Sequence, residues 1–253
     1  MSRTALITDI HANRQAFDAV LEHASQQGVD RYAFLGDFIG YGADPAWVLQ
    51  RVQALCAKGA IAVQGNHDRA VAQGPMPHMT SDARHMVEWT RAQLSPEDIA
   101  WLKALPLTRR VEDCFFAHAN AFAPEQFAYI HGRLDAVRSL QASPCTYSFF
   151  GHMHEPRLYH LSSTGKAGDF TPEPGTEIPL LPHRRWLAIA GSCGQPRDGN
   201  PAACYAVFDS DQQVLSFQRV PYDVDTAAQC LTAAQGLNPE LAQRLATRLQ
   251  GGQ

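Results

Sequence analysis

The sequence predicts an α/β fold with two sheets and with helices on their outer faces. Two observations indicate this fold class. The first half of the chain alternates between strand and helix patterns, which is typical of a parallel sheet with right-handed crossovers. The second half is mostly a succession of short strands, which predicts a second sheet packed on the first. A chain of 253 residues can form one large domain or two small ones, and we expect a single domain over residues 1–253.

Three apolar runs in the first half are predicted strands, and a helix pattern follows each of the first two. Residues 4–10 are an apolar run that suits a strand buried on both faces, and residues 31–35 and 60–63 are the two further strands. Asp44 as N-cap and Pro45 in the first turn open the second helix. Helical spacing gives these two helices inner faces made of Phe17, Val20, Leu21, Ala24, Val48, Val52 and Leu55.

Three more helix patterns and a series of short strands follow along the chain. One helix is predicted around residues 86–94, and Ser95 opens the next as its N-cap. A single helix, at residues 134–140, interrupts the strands that follow. These strands comprise residues 114–117, 147–150, 157–161, 186–190, 203–208 and 214–219.

Two segments fall outside this pattern. Residues 164–182 are rich in Gly, Pro and Thr and have no clear period, which predicts a loop or a loose hairpin. Two interpretations stay open for residues 165–182, a mobile surface excursion and a lid over a site. Residues 224–253 form a weakly helical C-terminal segment that we expect to pack on the outside of the fold.

Charge and composition exclude several classes of protein. A formal net charge of -4 argues against a non-specific nucleic-acid binder, which needs a basic face, so we expect no stable nucleic-acid partner. A nucleotide substrate is still compatible, because bound cations create a local positive site. No segment approaches the roughly 20 apolar residues of a membrane span, and no secretory signal is present. The six scattered cysteines are expected to be reduced, so we predict a cytoplasmic protein without a membrane partner.

Polar side chains stand where five of the predicted strands end. Ligand sites in α/β sheets form just beyond the carboxyl ends of the parallel strands, so we expect these residues to converge. Each short motif is common in turns, and the weight comes from their order and spacing together. The residues are Asp9, His11, Asp37, Asn66, His67, Asp68, His118, His152 and His154.

The spacing within two of these motifs suits a metal site. Asp9 and His11 are two residues apart, as are His152 and His154. Residues two apart on an extended backbone point to the same side, so one strand end offers two ligands to one cation. Carboxylate, imidazole and amide oxygen together suit manganese or iron, with zinc as an alternative.

The ordered motifs resemble those of the calcineurin-like metallophosphoesterase superfamily. The resemblance covers about residues 4–208 and implies a four-layer α-β-β-α sandwich, with two mixed sheets flanked by helices. Residues 191–197 are similar to an element of small bacterial phosphodiesterases and dinucleoside polyphosphate hydrolases. The main motifs are Asp9-x-His11, Gly36-Asp37, Gly65-Asn66-His67-Asp68, His118 and Gly151-His152-x-His154.

This resemblance implies a phosphohydrolase that uses two divalent metal ions, most simply Mn²⁺ or Fe, with Zn²⁺ as the alternative. A hydroxide that bridges the two ions would attack a phosphodiester or a phosphoanhydride, and a dinucleoside polyphosphate is a candidate substrate. Asp37 would bridge the ions, one of which would be held by Asp9, His11 and His154 and the other by Asn66, His118 and His152.

Three further residues carry expected roles in catalysis or substrate binding. His67 would lie beside the metals and protonate the leaving oxygen, or stabilise it as imidazolium, and with Asn66 it would contact the substrate. Asp68 either fixes the tautomer of His67 or caps the helix that follows. Arg197 either binds a substrate phosphate or pairs with Asp198 in a surface loop.

Several functions stay open on the sequence alone. After Asp37 the chain runs Phe38-Ile39-Gly40-Tyr41-Gly42, without the Asp-Arg pair that follows this motif in phosphoprotein phosphatases, and Asp68 replaces their usual glutamate, so that function is disfavoured. A small-molecule phosphomonoesterase and a non-catalytic metal-binding scaffold are also compatible with the motifs. A scaffold would be expected to lose ligands, whereas all seven candidate positions carry competent side chains. The expected partner is a small-molecule phosphate ester or nucleotide.

Overall fold

A computed structural model describes residues 3–75 and 79–253. Helices and strands alternate over the first half of the described chain, and strands predominate over the second. The strands are β1 (Arg3–Ile7), β2 (Arg31–Phe34), β3 (Ile61–Ala62), β4 (Thr108–Val111), β5 (Cys114–Ala117), β6 (Tyr147–Phe150), β7 (Pro156–Ser162), β8 (Ala167–Phe170), β9 (Glu177–Pro179), β10 (Arg184–Ala190), β11 (Ala203–Asp209) and β12 (Val214–Val220). The helices are α1 (Arg14–Gln26), α2 (Pro45–Cys56), α3 (Asn66–Gln73), α4 (Ser81–Ala92), α5 (Pro96–Ala104), α6 (Arg133–Ala142), α7 (Val224–Thr232) and α8 (Pro239–Gly251).

The first sheet has its strands in the order β3-β2-β1-β11-β12-β9. β1, β2 and β3 are parallel, as the alternation with α1 and α2 predicts. β11 joins β1 in antiparallel orientation, and β12 and β9 continue the sheet in the same way. The carboxyl ends of the three parallel strands therefore lie at one edge of this sheet.

The second sheet has its strands in the order β4-β5-β6-β10-β7-β8. β5, β6 and β10 are parallel to one another, while β4, β7 and β8 are antiparallel to their neighbours. Both sheets are thus mixed, as predicted. The carboxyl ends of β5 and β6 also lie together, which brings the polar residues that follow them to one place.

Three apolar clusters hold four layers together, which confirms the predicted sandwich. Phe149 and Leu215 belong to the cluster between the two sheets. Phe17 of α1 packs in a second cluster on the outer face of the first sheet. Leu140 of α6 packs in a third cluster on the outer face of the second sheet. Each sheet is therefore covered on both faces, which is the condition for parallel strands to be stable in water.

α7 and α8 occupy the C-terminal segment that the sequence predicts to be helical, and they pack against α4 and Tyr41 through a further apolar cluster. The indole Nε1 of Trp89 donates to the carbonyl oxygen of Gln235 at 2.9 Å. Arg244 of α8 pairs with Asp82 of α4 at 2.8 Å. None of the helices within the described ranges combines the length and apolar character needed to cross a bilayer.

Residues 164–182, predicted to be a loop or a loose hairpin, contain β8 and β9, so a loop over the whole segment is wrong. Both are short strands at sheet edges that pair through their backbones, β8 with β7 and β9 with β12. Their side chains carry little alternation, although Ile178 of β9 packs beside the cluster between the sheets. The sequence also fails to predict β4, because most of its residues are exposed and no apolar pattern marks them.

Leu215 is fully buried between the sheets, so its truncation tests this layer. We expect Leu215→Ala to lower the free energy of unfolding by about 2–5 kcal/mol, because the substitution removes buried surface and leaves a cavity. Leu134→Ala is the matched control, because Leu134 is 87% exposed, and its effect should stay within about 0.5 kcal/mol. Urea denaturation followed by circular dichroism measures both, and equal effects would contradict the packing described.

Candidate metal centre

The carboxyl ends of five strands bring the predicted polar residues together. The two turns after β1 and β2 of the first sheet carry three residues of this set, and a fourth lies in the first turn of α3. The turns after β5 and β6 of the second sheet supply the rest. Six of the seven candidate ligands are buried, and the seventh, Asn66, is half-buried. In chain order they are Asp9, His11, Asp37, Asn66, His118, His152 and His154.

Asp9, His11 and His154 form the first of two groups whose donor atoms can share a metal ion. The Nε2 atoms of His11 and His154 are 3.2 Å apart. Asp9 Oδ1 lies 3.1 Å from His154 Nε2 and 3.8 Å from His11 Nε2. One carboxylate oxygen and two ring nitrogens therefore surround one point.

Asp37, His118 and His152 form the second group. His118 Nε2 lies 3.2 Å from Asp37 Oδ2 and 3.1 Å from His152 Nδ1. The amide oxygen of Asn66 is 3.1 Å from the same His118 nitrogen, so it adds a fourth donor to this group. Asp37 Oδ2 is also 3.9 Å from His11 Nε2 of the first group. Asp37 is thus the side chain that stands between the two groups.

Backbone carbonyl groups fix the orientation of three of the histidine rings. The Nδ1 atoms of His11, His118 and His154 lie 3.3, 2.7 and 2.6 Å from the carbonyl oxygens of Ile39, Leu35 and Gln195, respectively. A carbonyl oxygen only accepts, so each Nδ1 carries a proton and each Nε2 is directed at the centre. This arrangement is characteristic of metal-binding histidines.

The donor set fits a divalent cation, because its acceptor atoms face one another around two points. Asp9 Oδ1 is buried and has no hydrogen-bond partner among the described residues. The other oxygen of Asp9 accepts from the hydroxyl of Thr8 at 2.7 Å and from the backbone N–H of His152 at 2.9 Å. One carboxylate oxygen of Asp9 is therefore fixed by hydrogen bonds, and the other is available to bind a cation.

Electrostatics keep the two carboxyl groups ionised. Burial by itself raises the pKa of Asp9 and Asp37, but the histidines beside them, chiefly His154 and His118, lower it below the ordinary value. Burial lowers the pKa of His118, but the charge of Asp37 outweighs this and raises it to about 9. Burial and the nearby His118 lower the pKa of His152 to about 3. Because metals bind ionised carboxylates and neutral imidazoles, a cation would displace the proton from His118.

The backbone around the site is not extended. The expectation that Asp9 and His11, and likewise His152 and His154, point to the same side of an extended strand is therefore wrong. Asp9, His11, Asp37, His152 and His154 all have positive φ angles, between 49° and 67°. Both members of each pair two residues apart reach the centre through left-handed turns and not through a continuing strand. A left-handed conformation costs a non-glycine residue roughly 1–2 kcal/mol. Residues with strained backbone conformations are common at functional sites, where contacts with the surrounding structure hold them in place.

Of the two roles predicted for Asp68, its hydrogen bonds fit the cap of the helix that follows. Asp68 also holds the turn that carries Asp37. Its carboxylate accepts from the backbone N–H groups of Asp37 at 2.7 Å, Phe38 at 3.0 Å and Gly65 at 3.0 Å. It therefore joins the start of α3 to the turn after β2. His67 Nδ1 has no hydrogen-bond partner among the described residues, so Asp68 does not orient that ring.

Gly65 allows the same two segments to approach closely. A Cβ atom at Gly65 would overlap the carboxylate and the backbone nitrogen of Asp37. Because glycine is the residue without a Cβ, the backbone of this turn can lie directly against Asp37. The backbone N–H of His67 then reaches Asp37 Oδ1 at 2.8 Å.

His67 lies beside the two groups without belonging to either. Its ring is buried, and the ring centroids of His11 and Tyr41 are 5.1 and 4.5 Å away. Burial lowers the pKa of His67, and the positive charges of His154 and Arg197 lower it further, against the opposing effect of Asp37. His67 is thus an imidazole held at the edge of the centre.

One of the two roles predicted for Arg197 is an ion pair with Asp198. The structure does not show this pair. Asp198 pairs with Arg219. Arg197 Nη2 donates to Gln195 Oε1 at 3.2 Å, and the Arg197 backbone N–H donates to the carbonyl oxygen of His154 at 3.3 Å. The backbone bond ties the segment 191–197 to the metal-binding turn and leaves the guanidinium on the side of His67.

Several residues that build this centre have no clear mark in the sequence. The hydroxyl of Ser192 donates to the carbonyl oxygen of Asp9 at 2.9 Å and supports the same turn as Thr8. A hydroxyl residue at the end of an apolar strand is the available signal for Thr8. Tyr129 lies parallel to His152, with ring centroids 4.2 Å apart, and no local pattern singles it out.

Comparison with known proteins agrees with the predicted family. The model of the calcineurin-like phosphoesterase superfamily domain matches residues 3–213, a range that contains all seven candidate ligands. MJ0912, an uncharacterised protein of Methanocaldococcus jannaschii, is 30% identical over 232 residues, which cover 89% of this chain and 90% of that protein.

Two solved structures share the whole fold. A metallophosphoesterase from Sphaerobacter thermophilus is 32% identical, with a TM-score of 0.85, over 100% of this chain and 99% of that chain. The hypothetical protein PH1004 from Pyrococcus horikoshii OT3 is 18% identical, with a TM-score of 0.74, over 97% of this chain and 98% of that chain. The second likeness shows the fold alone.

The bonds of Asp68 predict a structural defect when its charge is removed. In Asp68→Asn one acceptor oxygen becomes an NH₂ group, so at least one buried N–H loses its partner. We expect the free energy of unfolding to fall by about 1–3 kcal/mol. Asp18→Asn is the matched control, because the side chain of Asp18 is 51% exposed. Urea denaturation of metal-free protein measures both, and an unchanged midpoint for Asp68→Asn would contradict this role.

Proposed function

We propose that this chain, which belongs to the calcineurin-like phosphoesterase superfamily, hydrolyses a phosphodiester or a phosphoanhydride with the help of two divalent cations. The observation that carries the proposal is the pair of buried His/Asp groups that meet at Asp37. Two such groups side by side are what a dinuclear phosphohydrolase requires. A dinucleoside polyphosphate is a candidate substrate, and the cytoplasm is the proposed location.

The proposed ligands divide between the ions as the geometry suggests. Mn²⁺ or iron suits this mixture of imidazole, carboxylate and amide oxygen, and Zn²⁺ is the alternative. When bound, the two cations supply a nucleophile at neutral pH and neutralise charge on the phosphoryl group. In this assignment Asp9, His11 and His154 would hold the first ion, Asn66, His118 and His152 would hold the second, and Asp37 would be shared by both.

Three side chains are proposed to act on the substrate. His67 donates a proton to the leaving oxygen, or stabilises its charge, from its position beside both groups. The negative charge of a bound phosphate favours the protonated ring and so counters the effects that lower the pKa of His67. Arg197 binds a phosphoryl oxygen, and Asn66 contacts the substrate from the first turn of α3.

The surroundings of Asp37 argue against a phosphoprotein phosphatase. The residues that follow Asp37, Phe38-Ile39-Gly40-Tyr41-Gly42, contain no Asp-Arg pair such as those enzymes have after this motif. A substrate-binding arginine is therefore absent from that position. A small-molecule phosphomonoesterase is the remaining catalytic alternative. The convergence of all seven candidate ligands favours an enzyme over a non-catalytic scaffold.

Replacing the bridging carboxylate tests the dinuclear site. We expect Asp37→Asn to bind fewer than two Mn²⁺ ions per chain and to lose turnover by more than about 100-fold, because the amide carries no charge to hold both ions. Chelator-stripped protein is reloaded with Mn²⁺, its metal is counted by mass spectrometry, and hydrolysis of bis-p-nitrophenyl phosphate is followed.

A control variant and two further substrates show whether the proposed activity is present and which bond is hydrolysed. Asp18→Asn should keep the metal content and the turnover of the native protein. The rates with p-nitrophenyl phosphate and diadenosine tetraphosphate separate monoester and anhydride chemistry from diester chemistry. The proposal fails if native protein holds two Mn²⁺ ions per chain and none of the three substrates is hydrolysed.

His67 gives a second test, because it is assigned to proton transfer and not to metal binding. We expect His67→Gln to lower turnover by about 10²–10⁴-fold, the usual contribution of a general acid, with the metal content unchanged. His183→Gln replaces an exposed histidine and serves as the control. A His67→Gln protein that has lost its metal would assign His67 to the ligands instead.

A further inference from the structure

A cavity of about 440 Å³ opens beside the candidate metal centre. Its inner end is formed by Asn66, His67 and His152, so it begins where the phosphoryl group is expected to bind. Its volume lies within the roughly 300–1,000 Å³ that small-molecule sites occupy. A group attached to the reacting phosphate therefore has room to lie in this cavity.

Aromatic side chains form the walls of the cavity. Tyr41, Phe127 and Tyr129 line it, and Tyr129 differs from the other two in being 42% exposed. One face of the Tyr129 ring lies on His152, with an angle of 13° between the two planes. His152 covers that face, and the ring of His131 lies tilted at 50° with its centroid 5.6 Å from that of Tyr129, so the exposed part of the Tyr129 ring is left to stack on a planar group.

The loop that carries Phe127 and Tyr129 is braced before any ligand binds. Asn120, which is fully buried, donates from Nδ2 to the carbonyl oxygen of Ala128 at 2.9 Å and accepts from the Ala123 N–H at 2.8 Å. Arg69 of α3 donates to a backbone carbonyl of the same loop, that of Glu125, at 3.1 Å. A wall that is already ordered loses little entropy on binding.

The chemistry of the lining selects an uncharged planar group. Among the described residues that line the cavity, none carries a carboxylate, an ammonium or a guanidinium group. The exposed amide of Gln126 offers both a hydrogen-bond donor and an acceptor beside the aromatic walls. A flat ring with polar edges satisfies both features, whereas an inorganic polyphosphate or a charged peptide satisfies neither.

We propose that this cavity holds the nucleobase of a nucleotide substrate, stacked on the exposed part of the Tyr129 ring. This assignment rests on the proposed function, since it places the phosphate of the same nucleotide at the two-metal centre. Tyr129 is thereby a specificity residue, and Gln126 is placed to contact the edge of the base. The substrate class narrows from any phosphate ester to nucleotides.

Binding to Mn²⁺-loaded protein tests this assignment by calorimetry. The probes are AMP, GMP, CMP and UMP on one side and ribose 5-phosphate, which has the same sugar phosphate without a base, on the other. We expect the tightest nucleotide to bind about 5- to 150-fold more tightly than ribose 5-phosphate, the range that one base–aromatic stack provides. Equal binding would overturn the assignment, as would phenyl phosphate that binds as tightly as the best nucleotide.

Variants at Tyr129 separate stacking from support of His152. Tyr129→Ala should reduce the preference for the nucleotide to within about 2-fold, and Tyr129→Phe should keep it, because phenylalanine preserves the aromatic face. Phe170→Ala removes an aromatic side chain that is 39% exposed on β8 and should change nothing. If Tyr129→Ala weakens both ligands equally, Tyr129 serves only to support His152 and the assignment fails.

The same preparations distinguish failure of this inference from failure of the proposed function. Mn²⁺-dependent hydrolysis of bis-p-nitrophenyl phosphate by native protein, together with equal binding of nucleotide and ribose 5-phosphate, would overturn the nucleobase site alone. Absence of hydrolysis of that diester, of p-nitrophenyl phosphate and of diadenosine tetraphosphate would overturn both.

Discussion

The structure depends on one electrostatic constraint: buried carboxylates and histidine ring nitrogens face one another at the edge where the two sheets meet. Burying an ionised carboxylate costs several kcal/mol unless a positive charge lies beside it, and either a protonated His118 or a bound cation supplies that charge. The rest of the site serves to hold these groups in place. Backbone carbonyl groups of Leu35, Ile39 and Gln195 fix three imidazole rings, and Thr8 fixes one oxygen of Asp9. Each of these partners lies in a turn that directly follows a strand or in a segment bonded to such a turn.

The four-layer arrangement explains why these turns are rigid enough for the task. Both sheets are covered on each face, so their strands are anchored by apolar side chains along their length. The turns at their carboxyl ends are then tied to one another across the site. Asp68 connects the start of α3 to the turn after β2, and the N–H of His152 connects the turn after β6 to Asp9. The strained backbone at Asp37 and His152 persists because both of its flanks are fixed in this way.

The sequence predicts the fold class and the parallel strands because buried strands and amphipathic helices carry strong apolar patterns. The convergence of Asp9 with Asp37 in the first sheet, and of His118 with His152 in the second, follows from the topology, since the carboxyl ends of parallel strands share an edge. The local conformation does not follow. Left-handed φ angles at Asp9 and His154 arise from contacts between distant turns, which no local pattern encodes. Edge strands such as β8 pair through their backbones, and Tyr129 reaches His152 through a loop braced by Asn120, so neither leaves a periodic signal in the sequence.

The C-terminal hairpin of α7 and α8 lies beyond residue 213, where the match to the family domain ends, yet it packs on Tyr41, one wall of the cavity. The match to the family domain therefore leaves out part of the surface that shapes the cavity. Substitutions in the hairpin can shift Tyr41 while every candidate ligand stays unchanged. Related chains can therefore diverge in substrate preference by drift in an outer helix pair, and comparison of ligand motifs alone would group together enzymes that act on different molecules.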